Sequence, residues 1–336
     1  MSEPRFRSAA ILGSGSFGTA LAKLLSAKLE SVVLIGRDPG SAEAINRDRR
    51  NPHYLPDIVL PEKVRASSEP ADALDHPLVI FVVPTSATRT TAENLAALGL
   101  AGDRVLLSCA KGIEKQSGDR MSQVLRQIFP TNPVAALSGP NHAEEIATGL
   151  ATCAVIGCED QPLALGLQEL FTCPHFRSYT SDDLPGIEFG GAVKNIYAIA
   201  AGMAHGLGLG DNAVAALVTR ALAEMTRLGT ALGGRTETFC GLSGVGDLIV
   251  TCFSEHSRNH RVGLALGSGK SLDEAVKSLG MVAEGVPNTL SIHEAARRAD
   301  IRTPIIDAVY SILYEGKPAA QAMKELLSRD PRPECG

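Results

Sequence analysis

Lys194 lies in the run Phe189-Gly190-Gly191-Ala192-Val193-Lys194-Asn195-Ile196-Tyr197-Ala198. Gly190 and Gly191 stand four and three residues before it, and Ala198, Ala201 and Gly202 four, seven and eight after. On a helix those offsets share one face. Each glycine costs a helix about 1 kcal/mol relative to alanine, so a face this bare implies that something approaches it closely. The expected neighbour is the nucleotide-binding part of the chain and its ligand. A lysine on such a face loses its hydration, and its pKa falls toward the range of a general base. The bland alternative is a lysine that snorkels out of a seam between domains. Further along, Gly241-Leu242-Ser243-Gly244-Val245-Gly246 precedes Asp247. Three glycines ahead of an aspartate suggest a bent backbone that delivers one carboxylate to a site, to pair with Lys194 or to orient hydroxyl groups.

Ser257-Arg258-Asn259 follows, ahead of a helix-like stretch over 261–266. Ser257 is the expected N-cap, with Arg258 and Asn259 in the first turn, an arrangement that suits a phosphate. A capped surface helix with a solvated arginine is the alternative. The same stretch offers Cys252, His256 and His260 at spacings of four, which an unbroken helix would turn into a metal-binding face. A helix start at Ser257 argues against it, and no HExxH pair exists elsewhere; no metal is expected.

At the other end of the chain, Ala9-Ala10-Ile11-Leu12 runs into Gly13-Ser14-Gly15-Ser16-Phe17-Gly18 and then a helical pattern. Strand, glycine-rich turn and helix in that order make a dinucleotide-binding fingerprint. Gly13 permits the tight turn, Gly15 admits a pyrophosphate to the backbone, and Gly18 lets helix and strand pack closely. The helix start offers unpaired N–H groups to the anion. After the second strand stands Arg37 where an acidic residue would bind a ribose 2′-hydroxyl; an arginine there accommodates a 2′-phosphate. Asp38, one residue later, could still reach the ribose, and a plain surface arginine is the third reading. Pro84, Ala110-Lys111-Gly112 and Ser138-Gly139-Pro140-Asn141-His142-Ala143 close other strands, and ligands of open α/β sheets bind at that rim. Lys111 is placed to meet an anion near the nicotinamide, unless it is a solvated loop lysine.

These residues need a scaffold, and the periodicity supplies one. Short β-branched runs at 9–12, 32–35, 79–83, 105–108, 134–137, 151–156 and 176–179 alternate with helix-period segments such as 19–28, 91–98 and 121–128. Near-continuous apolar strands of this kind read as a parallel sheet covered on both faces. After Pro185 strands fade and helices take over. Asp211 is expected to cap a long helix ending at Gly233-Gly234, Ser271 and Glu274 form a capping box, and Pro304 and Pro318 mark first turns. The fold class is therefore α/β: a Rossmann-type doubly wound parallel sheet over 1–185, an all-helical substrate-binding domain over 186–328, and a polar tail over 329–336. Composition narrows the function. Glycine makes up 33 of 336 residues, about a tenth against a usual ~7%, so tight turns and close approaches abound. With 4% aromatic residues, no tryptophan and a net charge of −5, a nucleic-acid partner is not expected. The longest apolar runs, such as 78–83, fall far short of the ~20 residues that span a bilayer, and the N-terminus lacks an apolar leader. Seven cysteines, odd in number and without a Cys-x-x-Cys pair, fit reduced thiols in the cytoplasm.

Taken together, the segments Gly13–Gly18, Ala110–Gly112, Ser138–Pro140, Gly190–Asn195, Gly241–Cys252, Ser257–Asn259 and Val282–Gly285 resemble NAD(P)-dependent glycerol-3-phosphate dehydrogenase of the bacterial type, in order and along nearly the whole chain. The resemblance implies interconversion of sn-glycerol 3-phosphate and dihydroxyacetone phosphate, feeding phospholipid synthesis, with NADP(H) preferred and NAD(H) usable. It implies that Lys194 accepts the proton, that Lys111, Gly139 and Asn141 line the substrate crevice, and that Asp247, Ser257, Arg258 and Asn259 hold substrate from the other side. Ser16, Phe17, Arg37, Lys111, Ala143, Arg258, Val282 and Glu284 fall where the family contacts cofactor. Asn141-His142 departs from the family, which usually has Ser or Thr and then Phe. The expected partner is a small-molecule substrate, with a homodimer left open. Two other readings remain. A β-hydroxyacid dehydrogenase would carry an asparagine one turn after its lysine, where this chain has Ala198. A non-catalytic dinucleotide sensor would bind nucleotide without turnover.

Overall fold

The computed structural model describes residues 5–279 and 282–328; the polar tail proposed for 329–336, with Cys335, lies outside them. The first half alternates strands and helices: β1 (Ser8–Leu12), α1 (Ser16–Leu25), β2 (Ser31–Ile35), α2 (Pro39–Asp48), β3 (Val64–Ser67), β4 (Leu78–Phe81) and α3 (Thr85–Ala97). Then come β5 (Val105–Ser108), α4 (Met121–Ile128), β6 (Val134–Ser138), α5 (Ala143–Thr148), β7 (Thr152–Gly157), α6 (Gln161–Phe171) and β8 (Phe176–Ser181). The strands form one sheet in the order β3-β2-β1-β4-β5-β6-β7-β8. β4 and β5 are buried along their whole length, because helices cover both faces. Two apolar clusters, one on each face, make this core. One packs Leu21, Leu25, Ile11 and Leu34; the other packs Val79, Phe81, Leu106 and Leu125.

The second half is helical: α7 (Leu184–Gly206), α8 (Gly210–Ala231), α9 (Thr236–Phe239), α10 (Asp247–Phe253), α11 (Arg258–Gly267), α12 (Leu272–Lys277), α13 (Gly285–Arg298), α14 (Pro304–Glu315) and α15 (Ala319–Leu327). Helix α7 is buried on nearly every side and forms the axis of this half. The capping box at Ser271 and Glu274 is present. Pro304 opens α14, whereas Pro318 is the residue ahead of α15.

Several expectations need correction. The sheet is not wholly parallel, since β7 runs antiparallel to β6 while β8 is parallel to β7. Short apolar runs carry no sign of direction, so the reversal is invisible in the sequence. β3 was missed: it has four residues with an exposed arginine and sits at the sheet edge. Asp211 lies inside the first turn of α8 instead of capping it, favouring the helix through its charge. The small-residue face of α7 is also split among neighbours. A Cβ on Gly191 would meet Ser138 and Lys111 of the sheet half, but one on Gly190 would fall 2.5 Å from the Ser243 carbonyl oxygen. Gly202 packs against α11, where a Cβ would come within 2.1 Å of the His260 carbonyl oxygen.

The strand reversal sets where α7 begins. Ser138, the last residue of β6, pairs with Val155, while Gly157 at the end of β7 lies beside Ala136. β7 and β8 therefore end at the edge of the sheet opposite the rim formed by β1, β4, β5 and β6. A Cβ on Gly157 would touch Leu184 and Ile187, so α7 starts at that far edge. Ten helical residues advance about 15 Å, close to the ~17 Å length of a five-residue strand, which brings Lys194 back to the rim.

Candidate active site

The glycine turn has the shape its spacing requires. Gly13 has φ of +117°, and a Cβ there would sit 2.5 Å from the Val82 carbonyl oxygen. A Cβ on Gly18 would overlap the Gly13 carbonyl oxygen at 1.9 Å. Gly15 differs: a Cβ there would meet nothing within 4 Å. Gly15 is also the N-cap of α1 and offers no side-chain cap, so the first N–H groups of the helix, at Ser16 and Phe17, lack a side-chain partner. Buried Asn51 braces the turn by donating to the Ser14 carbonyl oxygen and to Thr19 Oγ1, both at 2.8 Å. An open pocket at a helix start, with its backbone pre-set, fits a pyrophosphate.

The Arg37 question is sharpened by Asp38. The Asp38 carboxylate caps α2, accepting from the Ser41 backbone N–H at 2.8 Å and from the Ser41 hydroxyl. These two hydrogen bonds hold its pKa below the usual carboxylate range. Arg37 is exposed, and among the described residues nothing pairs with its guanidinium. The cation at the end of β2 is free, and the neighbouring anion is committed to α2.

Across the rim, side chains from both halves meet at Asp247. Lys194 Nζ donates to Asp247 Oδ1 at 2.7 Å and to Thr251 Oγ1 at 2.6 Å. Lys111 Nζ donates to Asp247 Oδ2 at 2.6 Å, to the Gly139 carbonyl oxygen at 2.9 Å and to Asn141 Oδ1 at 3.0 Å. Asp247 is 1% exposed and Lys194 5%. Burial would by itself push the Asp247 carboxyl up, but the ammonium groups of Lys111 and Lys194 together hold it below its usual range. Lys194 moves the other way: burial lowers its pKa to about 8, Asp247 opposes that, and Lys111 adds to it. An amine poised there can both donate and accept a proton near neutrality. The bend that delivers Asp247 is a π-helical turn over Leu242–Gly246, with Gly244 against the backbone of Phe239.

Helix α11 starts as expected, with the Ser257 side chain accepting from the His260 backbone N–H. The helix is interrupted between Phe253 and Arg258, so Cys252, His256 and His260 do not share a helical face. His260 bonds instead to His205 at 2.8 Å. Exposed Arg258 donates to the Val282 carbonyl oxygen at 2.8 Å. Glu284 accepts from the hydroxyl of Thr85, the first residue of α3 after β4, and burial raises its pKa. That contact brings Val282 and Glu284 to the same rim. Ala143 opens α5 beside it, and Phe17 packs into the sheet core.

Asn259 sits differently from Arg258. Its Nδ2 donates to Asn195 Oδ1 and its Oδ1 accepts from the Gly285 backbone N–H, both at 2.9 Å. One N–H and the oxygen of its amide thus join α7, α11 and α13, and the second Nδ2 hydrogen has no partner among the described residues. Thr251 was not singled out from the sequence, although it lies one helical turn after Asp247 and so shares its face. Asn288 was missed too; it donates to the Lys111 carbonyl oxygen at 2.7 Å and fixes the loop that carries that lysine. Asn141 Nδ2 and His142 Nε2 are buried atoms with no hydrogen-bond partner in the protein.

Comparison with known proteins gives a consistent result. Residues 8–164 match the model of the NAD-dependent glycerol-3-phosphate dehydrogenase N-terminus, and residues 183–324 match that of its C-terminus. A glycerol-3-phosphate dehydrogenase [NAD(P)+] of Clostridium tetani is 44% identical over 96% of this chain and 93% of its own. One from Nitratidesulfovibrio vulgaris is 45% identical over 97% and 99%. The crystal structure of glycerol-3-phosphate dehydrogenase from Coxiella burnetii superposes with a TM-score of 0.93 at 36% identity, covering 96% of this chain and 99% of that one.

Proposed function

The chain belongs to the NAD-dependent glycerol-3-phosphate dehydrogenase family and is an NAD(P)-dependent oxidoreductase of glycerol 3-phosphate and dihydroxyacetone phosphate; from that premise we propose how its residues divide the work. The observation that carries the reading is the shared carboxylate of Asp247, which sets a buried lysine of pKa about 8 beside a second ammonium at the sheet rim. The two other readings, a hydroxyacid dehydrogenase and a non-catalytic sensor, give way to the family match.

The nicotinamide, when bound, supplies or takes up the hydride at C2 of the substrate. In the reducing direction Lys194 gives a proton from its ammonium to the C2 oxygen; in the oxidising direction its neutral amine takes the hydroxyl proton. Asp247 and Thr251 hold Nζ in place, so the ammonium is aimed before substrate arrives. Lys111 adds positive potential where charge grows on the carbonyl oxygen. Gly139 and Asn141 fix Lys111, with Asn141 Nδ2 left over for the substrate. Arg258, at the start of α11 with Ser257 as cap, takes the phosphoryl group. Asn259 and Asn195 hold that helix against α7. Gly13, Gly15, Ser16, Phe17 and Gly18 hold the pyrophosphate. Arg37 reads a 2′-phosphate, and Ala143, Val282 and Glu284 border the cofactor. We divide the chain at about residue 185 into a dinucleotide-binding domain and a substrate-binding domain.

We place the enzyme in the cytoplasm, supplying glycerol 3-phosphate for phospholipid synthesis. Among the described residues no helix is long and apolar enough to cross a membrane, and six cysteines are free thiols. The test is NADPH absorbance with dihydroxyacetone phosphate against a panel of 2- and 3-oxoacids and sugar phosphates. Turnover confined to dihydroxyacetone phosphate supports the reading; preference for an oxoacid overturns it.

A further inference from the structure

The site holds more donors than acceptors. Both oxygens of Asp247 are taken by lysines, Asn141 Oδ1 is taken by Lys111, and the Gly139 carbonyl oxygen is taken as well. Three groups of the Ser138–His142 turn remain without a partner in the protein: the Ser138 hydroxyl, Asn141 Nδ2 and His142 Nε2, the last two bearing only hydrogens to offer. An unpaired buried polar atom is costly, so each of these calls for a partner the chain does not provide.

His142 lies close enough to Lys194 on α7, Lys111 after β5 and Asp247 on α10 to feel their charges. Its ring is 6.1 Å from that of His256, two residues ahead of Arg258. Glu144, on the same helix, makes no hydrogen bond to it. Burial, reinforced by the two ammonium groups, keeps the imidazole pKa below its usual value, so the ring enters as a neutral donor. A phosphoryl group brings only acceptor oxygens, which is what this cluster lacks.

We propose that His142 is a substrate-binding residue whose Nε2–H donates to a phosphoryl oxygen of the substrate. The proposal rests on the reading of this chain as a glycerol-3-phosphate dehydrogenase. It makes phosphate recognition the joint work of both halves of the chain.

Two variants test it. His142→Phe fills the volume without a donor; His142→Gln restores an N–H near the same place. Steady-state rates with dihydroxyacetone phosphate and with unphosphorylated dihydroxyacetone are compared, alongside calorimetric Kd values for NADPH and for inorganic phosphate on the NADPH-loaded enzyme. His142→Phe is expected to raise the KM for dihydroxyacetone phosphate and the Kd for inorganic phosphate about tenfold each, the loss of one charge-assisted hydrogen bond. kcat/KM for dihydroxyacetone and the Kd for NADPH stay unchanged, and His142→Gln recovers most of the loss. Unchanged phosphate Kd in His142→Phe overturns the proposal. So does an equal loss on both substrates, or a glutamine variant no better than phenylalanine. A wild-type enzyme that ignores dihydroxyacetone phosphate defeats the substrate reading instead, while the phosphate Kd still reports on His142.

Discussion

Lys111 and Lys194, 83 residues apart in the chain and on opposite sides of the crevice, donate to the two oxygens of one buried carboxylate. Each therefore feels the other. The Lys111 ammonium is one of the causes that hold the Lys194 pKa at about 8. Because the reducing direction needs the ammonium, kcat/KM for dihydroxyacetone phosphate should fall as pH rises through about 8. The oxidising direction needs the amine and should rise over the same range. Lys111→Met removes a neighbouring positive charge, so both midpoints should move to higher pH. Paired pH–rate profiles check this, and a midpoint that stays put would show that the two lysines are uncoupled.

Lys194→Met should leave NADPH binding near normal and cut kcat by about 10²–10⁴-fold. Lys194→Arg should not recover the loss, since a guanidinium does not release its proton near neutrality. Near wild-type turnover in the methionine variant would move proton transfer to another group.

Arg37→Asp should reverse cofactor choice. The wild type should use NADPH with higher kcat/KM than NADH, and the variant should favour NADH, because a carboxylate repels the 2′-phosphate. Asp38 stays engaged with Ser41 in both, so it does not mask the change. Equal use of the two cofactors by both proteins would remove Arg37 from the ribose site.

Arg258→Ala should cost roughly tenfold to a few hundredfold in kcat/KM for dihydroxyacetone phosphate, from the ~1.5–3 kcal/mol of a charge-assisted contact. The loss on dihydroxyacetone should be small, as that molecule never used the contact. An identical factor on both substrates would make Arg258 a cofactor or structural residue.

Two glycine variants should part stability from binding. Gly202→Ala drives a methyl group into the backbone of α11 and should cost about 3 kcal/mol or more, lowering Tm by several degrees. Gly15→Ala has room for its methyl and should leave the Tm of the cofactor-free protein unchanged, while weakening NADPH binding where the pyrophosphate needs that space. Thermal melts with and without NADPH separate the two; a stable Gly202→Ala protein would mean that the α7–α11 contact gives way.

Much of this was readable before any coordinates, and the reason is locality. The glycine turn, the Ser257 cap and the capping box at Ser271 are each specified by neighbours a few residues apart, and all three formed as expected. Lys194 and Asp247 stood out because glycines around them had no other use. What escaped was relational. Strand direction at β7 and the weak edge strand β3 depend on neighbours far along the chain. Nothing in the Asn259 motif shows that Asn195 and the Gly285 N–H, 64 and 26 residues distant, engage one N–H and the oxygen of its amide.

The reversal at β7 has a consequence for how this sequence can vary in length. Since α7 starts at the far edge of the sheet and carries Lys194 up to the rim, it acts as a measured shaft anchored at Leu184 and read at one point. Adding a single residue between them would raise the ammonium by only about 1.5 Å but swing it by about 100° around the axis, off Asp247 and into the packed interior. Loops can absorb such changes, and the stretch between α3 and β5 is exposed enough to do so. Insertions and deletions should therefore be silent across much of the surface and lethal to activity within ten residues of buried helix, even where no residue in that interval touches substrate.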